Sequence, residues 1–214
     1  MALLKPGEFI FSYDDHNSSK SQLEPMLIVV SGPDRVGKST LIAQMAEAAN
    51  VKTFVSHHGA PPSNQGNIFD FYREDIIKWR ASGAPLAIFD RAWPCSYILE
   101  QHRRRNAGHF EDLVDLEIWL NDEVGAVVHL AQLRPWHWSA PLHIEELREE
   151  FPDASPWFIR DELVARMQEH KHYSEELLSF YDDVTMFPSV RLDRTYAPKE
   201  ALKLCKAALQ RVGE

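Results

Sequence analysis

The sequence has few cysteines, and this scarcity excludes one class of fold. Its 214 residues include two, Cys95 and Cys205, which are far apart and form no metal-binding or redox pattern. A small fold held together by disulfides is therefore excluded, and the reducing environment of the cytoplasm is expected. Residues 1–7 begin no apolar stretch that would predict a signal peptide.

Long apolar runs are missing as well. The longest, Met26 to Val30 and Pro85 to Phe89, have five residues each, whereas a membrane-spanning helix needs about 20. The sequence therefore predicts no membrane partner. Apolar residues nevertheless make up 44% of the chain, which is enough for a sizeable hydrophobic core.

Positive charge is in deficit. The chain has 23 Lys and Arg against 32 Asp and Glu, a net charge of −9. Proteins that wrap duplex nucleic acid show a strong basic excess, so a nucleic-acid substrate is disfavoured, although a local basic pocket is compatible with this balance. The sequence does not determine the oligomeric state, and a homodimer is possible.

Apolar stretches alternate with helical patterns after residue 25. The predicted strands are Met26–Val30, Thr53–Val55, Leu86–Phe89, Ala126–Leu130 and Val190–Asp193. Strands that alternate with helices favour right-handed crossovers and a parallel sheet. We therefore predict an α/β domain over residues 26–214, with a five-stranded parallel sheet flanked by helices, preceded by an N-terminal extension over residues 1–25.

Residues 134–160 interrupt this alternation. The segment is rich in proline and tryptophan and is too irregular for a core element, so we predict a lid inserted before a long helix over residues 160–181. Arg134, Arg148 and Arg160 are lid cations that could approach a bound phosphate, and the sequence does not choose among them. Trp136 and Trp138 either close over a substrate or pack the lid against the body.

The segment between the first predicted strand and the first helix matches the pattern G-x-x-x-x-G-K-[ST] at every fixed position. We call it the phosphate loop, Gly32–Ser39. Its backbone N–H groups and the following helix N-terminus suit an anion. In such loops the lysine, here Lys38, reaches the β- and γ-phosphates, and the hydroxyl of Ser39 ligates Mg²⁺. The predicted ATP contacts are Gly32, Asp34, Arg35, Val36, Gly37, Lys38, Ser39 and Thr40.

Two other features of the sequence indicate which class of nucleotide-binding protein this is. No Asn-Lys-x-Asp guanine signature occurs, which disfavours a regulatory GTPase. The third predicted strand ends at Asp90-Arg91, and residues at the carboxyl ends of parallel strands face the ligand crevice. Asp90 could hold Mg²⁺ directly or through water, or accept a proton, and Arg91 could dock a phosphate or hydroxyl of an acceptor. The alternative is that Asp90 caps the next helix.

Three segments resemble the thymidylate kinase family of nucleoside monophosphate kinases. They are the phosphate loop with Asp34-Arg35 inside it, Phe89-Asp90-Arg91 at a strand end, and the helix start Ile68-Phe69-Asp70-Phe71-Tyr72-Arg73. The resemblance extends over about residues 26–212. It implies an ATP- and Mg²⁺-dependent kinase in which Arg35, Lys38 and Asp90 are catalytic, and Ser39 and Asp90 hold the metal.

The resemblance also implies a set of acceptor contacts. Asp34 would hold a sugar hydroxyl, Arg91 the acceptor phosphate, Phe69 would stack on the base and Arg73 would hydrogen-bond to it. For Phe69 the alternative is ordinary core packing, and for Arg73 it is a solvated helix face.

One departure from the family affects the choice of acceptor. The turn after the second strand, where the family has an arginine for the monophosphate, contains His57 and His58 and no arginine. Either histidine replaces it, with His57 the expected substrate contact, or the acceptor has no phosphate there. We expect a deoxynucleoside monophosphate acceptor. The alternatives are a hydroxyl of a nucleoside or of a modified base, possibly within DNA, and a regulatory protein that binds ATP as a switch.

Overall fold

A computed structural model describes residues 8–11, 25–58, 68–99 and 110–211, with side chains over 25–58, 70–98 and 111–211. The strands are β1 (Glu8–Phe11), β2 (Met26–Ser31), β3 (Thr53–His57), β4 (Leu86–Asp90), β5 (Ala126–Gln132) and β6 (Ser189–Leu192). They form one sheet of order β1-β3-β4-β2-β5-β6. The parallel strands β2 to β6 confirm the predicted five-stranded parallel sheet.

An additional edge strand comes from within the predicted extension. Strand β1 pairs antiparallel with β3, with Glu8 opposite Ser56 and Phe11 opposite Thr53. The five parallel strands therefore have an antiparallel neighbour at one edge. The separation of residues 1–25 from a domain over 26–214 stays a prediction, and most of this extension lies outside the described residues.

Helices cover both faces of the sheet. They are α1 (Lys38–Ala48), α2 (Ile68–Ser82), α3 (Trp93–Leu99), α4 (Phe110–Glu123), α5 (Trp136–Glu150), α6 (Pro156–Asp183) and α7 (Pro198–Gln210). Helices α1 and α7 pack on one face, and α2, α3, α4 and α6 pack on the other. In the described parts of the chain, no helix is long and apolar enough to cross a membrane.

The central strand β2 shows why the run Met26 to Val30 is apolar. Leu27 and Val29 of β2 enter the core beneath α2, α4 and α6, whereas Ile28 and Val30 enter the core beneath α1 and α7. All four are fully buried. Because successive side chains of a strand point to opposite faces, a strand covered on both sides is apolar in a continuous run and does not alternate with polar residues.

The predicted lid is more regular than its sequence indicates. Most of it is the helix α5, which contains Pro141, and α6 begins at Pro156, four residues before the predicted start. The start of α6 has a readable signal, because Ser155 Oγ accepts a hydrogen bond from the Phe158 N–H and Pro156 occupies the first turn. That residues 134–160 act as a lid stays a prediction.

A buried carboxylate ties α4 to the segment after α6. Glu117 accepts hydrogen bonds from Trp93 Nε1 at 3.0 Å, from Thr185 Oγ1 at 2.7 Å and from the Met186 N–H at 2.9 Å. Burial alone raises the pKa of Glu117, but the neighbouring His129 and these donors outweigh it, so the pKa is lowered. Glu117 is therefore ionised and satisfied inside the core.

Candidate active site

The phosphate loop turns sharply between β2 and α1. Gly32 has φ of 151° and Gly37 has φ of 87°, both favourable for glycine. A Cβ atom on Gly32 would lie 2.3 Å from the carbonyl oxygen of Gln132, so the loop passes directly over the end of β5. Gly37 caps α1 without a side chain, which leaves the first N–H groups of the helix available to an anion.

Lys38 lies inside the curve of this loop. Its side chain is buried, and Nζ donates a hydrogen bond to the Pro33 carbonyl oxygen. Burial is the main reason that the pKa of Lys38 is lowered. A buried ammonium group that donates to a loop carbonyl is placed to exchange that partner for phosphate oxygens.

Three elements meet at the carboxylate of Asp90, the last residue of β4. Ser39 Oγ, at the start of α1, donates to Asp90 Oδ2 at 2.9 Å, and His57 Nδ1, at the end of β3, donates to the same oxygen at 2.9 Å. The other oxygen, Oδ1, is buried without a hydrogen-bond partner among the described residues. Burial raises the pKa of Asp90, and the hydrogen bonds from His57 and Ser39 lower it further than burial raises it.

These oxygens fit a magnesium ion. Mg²⁺ prefers hard oxygen ligands and usually takes only one or two from the protein, with water and substrate phosphates completing its shell. Ser39 Oγ and the unpartnered Oδ1 of Asp90 supply that number. Within the described ranges no group of three or more His, Cys, Asp or Glu residues could hold a metal ion, so a site made only of such side chains is not found there.

Arg91 extends from β4 towards the phosphate loop. Its guanidinium forms an ion pair with Asp34 of that loop, and its backbone has φ of 59°. The turn is held by His58, whose Nδ1 lies 2.8 Å from the Arg91 carbonyl oxygen and whose Nε2 lies 2.8 Å from a carboxylate oxygen of Asp75. His58 therefore fixes the backbone of Arg91.

The side chains converge on a cavity of about 740 Å³. The phosphate loop and Arg91 form one wall, and the opposite wall comes from α5 and α6 with Leu142, His143, Glu146, Arg166, Glu169, His170 and Tyr173. None of the residues of this opposite wall is among the predicted site residues. Positions 166, 170 and 173 recur at the spacing of one helix face, which is the signal that could have revealed them.

The comparisons with known proteins identify the fold. No family model matches the chain, and no curated protein does either. Among solved structures, polyphosphate kinase 2 from Arthrobacter aurescens TC1 aligns with a TM-score of 0.57 and 12% identity, over 90% of this chain and 70% of that one. The YorR protein from Bacillus subtilis, solved with phosphorylated GDP, aligns with a TM-score of 0.53 and 14% identity, over 88% and 99%.

This chain has the P-loop kinase fold. Identities this low show the fold alone. Within the fold, the structure brings together most of the predicted site residues at the carboxyl ends of the strands. Those that line the cavity are Gly32, Asp34, Arg35, Gly37, Lys38, Ser39, Thr40 and Arg91. Asp90 is hydrogen-bonded to both Ser39 and His57. Val36, within the loop, is buried.

The two residues predicted to contact a base are Phe69 and Arg73. The guanidinium of Arg73 lies 5.4 Å from the Trp119 ring, on the side of α2 that faces α4, and Arg73 does not line the cavity. The side chain of Phe69 lies outside the described residues. Contacts of either residue with a base therefore stay predictions.

The three predicted lid cations are also separated by the structure. The guanidinium of Arg134 lies about 3.5 Å from the point where a Cβ on Gly37 would be, so it borders the phosphate loop. Arg148 is exposed, and Arg160 pairs with its neighbour Asp161 at 2.9 Å. Among these three arginines, the structure therefore favours Arg134 as a phosphate neighbour.

Trp136 packs the predicted lid against α6. Its ring stacks on His143 at 4.8 Å and meets His170 edge-on at 5.4 Å. Burial is the main cause that lowers the pKa of each histidine. This arrangement favours the packing role for Trp136, whereas Trp138 remains exposed.

Proposed function

We propose that this chain catalyses transfer of the γ-phosphoryl group of ATP to a deoxynucleoside monophosphate, in the manner of the thymidylate kinase family. The observation that carries the proposal is the carboxylate of Asp90. Its Oδ2 accepts hydrogen bonds from Ser39 of the phosphate loop and from His57 of the neighbouring strand. Asp90 therefore links the loop proposed to bind ATP to the strand end proposed to bind the phosphoryl acceptor.

On the donor side, each group has a charge suited to a triphosphate. The loop N–H groups and Lys38 bind the phosphates, and Ser39 and Asp90 hold Mg²⁺, which neutralises charge as the phosphoryl group moves. Arg35 can bind two phosphoryl oxygens at once, because a guanidinium presents a planar fork of donors. Such a site acts by positioning and charge neutralisation.

On the acceptor side, Arg91 directly follows β4 and reaches the phosphate loop, where it pairs with Asp34. It is available to an acceptor phosphate that replaces Asp34 as its partner. The structural neighbours support phosphoryl transfer in general, since one is a polyphosphate kinase and the other was solved with phosphorylated GDP.

One observation favours a second candidate, an acceptor with a bare hydroxyl group. His58 engages both ring nitrogens within the protein, and His57 is bonded to Asp90. Neither residue therefore supplies an obvious replacement for the arginine that the family uses to hold a monophosphate. A nucleoside or modified-base hydroxyl needs no such cation.

An acceptor screen tests the proposal. ATP and Mg²⁺ are incubated with a panel of nucleosides, nucleoside monophosphates and oligonucleotides, and both ADP and the phosphorylated product are measured. We expect deoxynucleoside monophosphates to stimulate ADP formation more than the other acceptors do. Slow ATP hydrolysis that no acceptor stimulates would refute the kinase and favour the regulatory alternative.

Lys38→Ala provides the matching active-site variant. It should abolish transfer and leave the circular dichroism spectrum unchanged, because the substitution removes the phosphate clamp and keeps the helix. Lys203→Ala, which removes an exposed lysine from α7, is the control and should retain full activity. Near-normal turnover in a folded Lys38→Ala protein would contradict the donor-site assignment.

A further inference from the structure

An ion network joins the phosphate loop to the helices opposite it. Arg35 Nη2 donates to Glu146 Oε1 at 2.7 Å, and Arg166 Nη1 donates to Glu146 Oε2 at 2.9 Å. Arg166 also bonds to Glu150 at 3.0 Å. The two oxygens of Glu146 thus hold two guanidinium groups that come from different elements.

This network lies in the phosphate cavity. Arg35, Glu146 and Arg166 all line the same cavity as Lys38. The hydrogen bond from Arg35 is the main cause that lowers the pKa of Glu146, so its carboxylate is ionised. A single carboxylate therefore draws together two cations beside the loop that would bind a triphosphate.

The contacts are of a kind that can exchange. The side chains of Arg35 and Glu146 are 49% and 37% exposed, and ion pairs at this level of exposure are weak because water screens them. A phosphoryl group offers a guanidinium the same paired oxygens as a carboxylate, with more negative charge. When a triphosphate is bound, Glu146 beside it would add like-charge repulsion unless it moves away.

We propose that Glu146 is a positioning residue that stands in for the γ-phosphoryl group when none is bound. Its carboxylate keeps Arg35 and Arg166 converged, and a triphosphate takes both arginines by displacing it. The inference rests on the proposed function, since it requires that the phosphate loop bind ATP. It also places Arg166, on α6, beside Arg35 as a second cation for the transferring group.

The exchange predicts an effect that depends on the third phosphate. Glu146→Gln removes the competing charge, so binding of the Mg²⁺ complex of AMP-PNP should tighten by about threefold to tenfold, the range expected when partly exposed ion pairs no longer compete. Binding of Mg²⁺–ADP should stay unchanged, because ADP has no γ-phosphate to claim the arginines. Titration calorimetry on the full chain measures both dissociation constants.

Two further variants separate this role from a general charge effect. Glu145→Gln makes the same change of charge one position earlier, on the exposed face of α5, and should leave AMP-PNP binding unchanged. In an Arg35→Gln background, Glu146→Gln should have a smaller effect, because one of the two arginines for which Glu146 competes is already gone and only Arg166 remains.

Several outcomes would overturn the proposal. Equal tightening of ADP and AMP-PNP, an equal effect of Glu145→Gln, or an undiminished effect in the Arg35→Gln background would show that Glu146 acts only through bulk charge. An unchanged affinity for AMP-PNP in Glu146→Gln would refute the exchange and leave the proposed kinase standing. Failure of the unaltered protein to bind AMP-PNP would refute both.

Discussion

Replacing Arg91 by alanine separates the two candidate acceptors. Arg91 stands at the end of β4, and its guanidinium pairs with Asp34 across the mouth of the phosphate loop. Its backbone is left-handed, with φ of 59°. Alanine also carries a Cβ, so the substitution adds no new backbone strain and the cost of this conformation is similar for both residues. The variant therefore removes the cation and little else.

The expected effect follows from the acceptor. If the acceptor carries a phosphate, Arg91 binds it, and loss of a charge-assisted hydrogen bond costs about 1.5–3 kcal/mol. The acceptor KM should then rise by about 10- to 150-fold. If the acceptor is a bare hydroxyl, no such contact exists, and the acceptor KM should change by less than about twofold.

Steady-state kinetics with the best acceptor from the screen, at saturating ATP, provide the measurement. Arg80→Ala is the matched control, because Arg80 is exposed near the end of α2 and does not line the phosphate cavity. With a monophosphate acceptor, a kcat and an acceptor KM that both stay at the level of the control would show that the acceptor binds elsewhere. Arg91 would then not contact the acceptor.

Two further perturbations test the loop and the core. Gly32→Ala places a Cβ 2.3 Å from the Gln132 carbonyl oxygen, so the loop must shift. ATP binding should therefore be lost, and the midpoint of thermal unfolding should fall by several degrees. Unchanged ATP binding together with an unchanged midpoint would contradict the loop geometry. Glu117→Gln should cost about 2–4 kcal/mol at pH 7, because an amide cannot accept from all the donors that now meet the carboxylate. Since the pKa of Glu117 is lowered in the folded state, its contribution is present above the unfolded pKa of about 4.3 and is lost as the pH falls through the folded value. Urea unfolding from pH 7 to pH 3 should therefore show the stability gap between wild type and variant narrowing, and a constant gap would refute the role of this charge.

The parts of the fold that the sequence predicts are those controlled by local pattern. The run Met26 to Val30 is apolar at every position because helices cover both faces of the strand. The phosphate loop is equally local, since Gly32 and Gly37 are required by backbone angles that other residues rarely adopt. Both features can be read without knowledge of distant contacts.

The helix α5 shows where local pattern is insufficient. Proline normally interrupts a helix because it lacks an N–H and crowds the preceding turn, and Pro141 lies inside α5. The helix packs against α6, to which Trp136 contributes through its contact with His170. Tertiary packing of this kind overrides a local propensity, and a single sequence does not display it.

The least predictable feature is the partner that each site residue chooses. Arg35 and Glu146 are 111 positions apart, and no spacing rule relates a loop residue to one face of a distant helix. The same holds for His58, which the sequence offered as a replacement for an arginine and which the fold engages with Asp75 and the Arg91 carbonyl. In both cases the residue type indicates that the side chain forms an ion pair or a hydrogen bond, and the fold determines which group is its partner. This difference explains why the sequence predicts the shape of the phosphate loop and leaves two acceptors open. The shape of the loop depends on its own backbone, whereas the choice of acceptor would depend on which cations the rest of the protein has already paired.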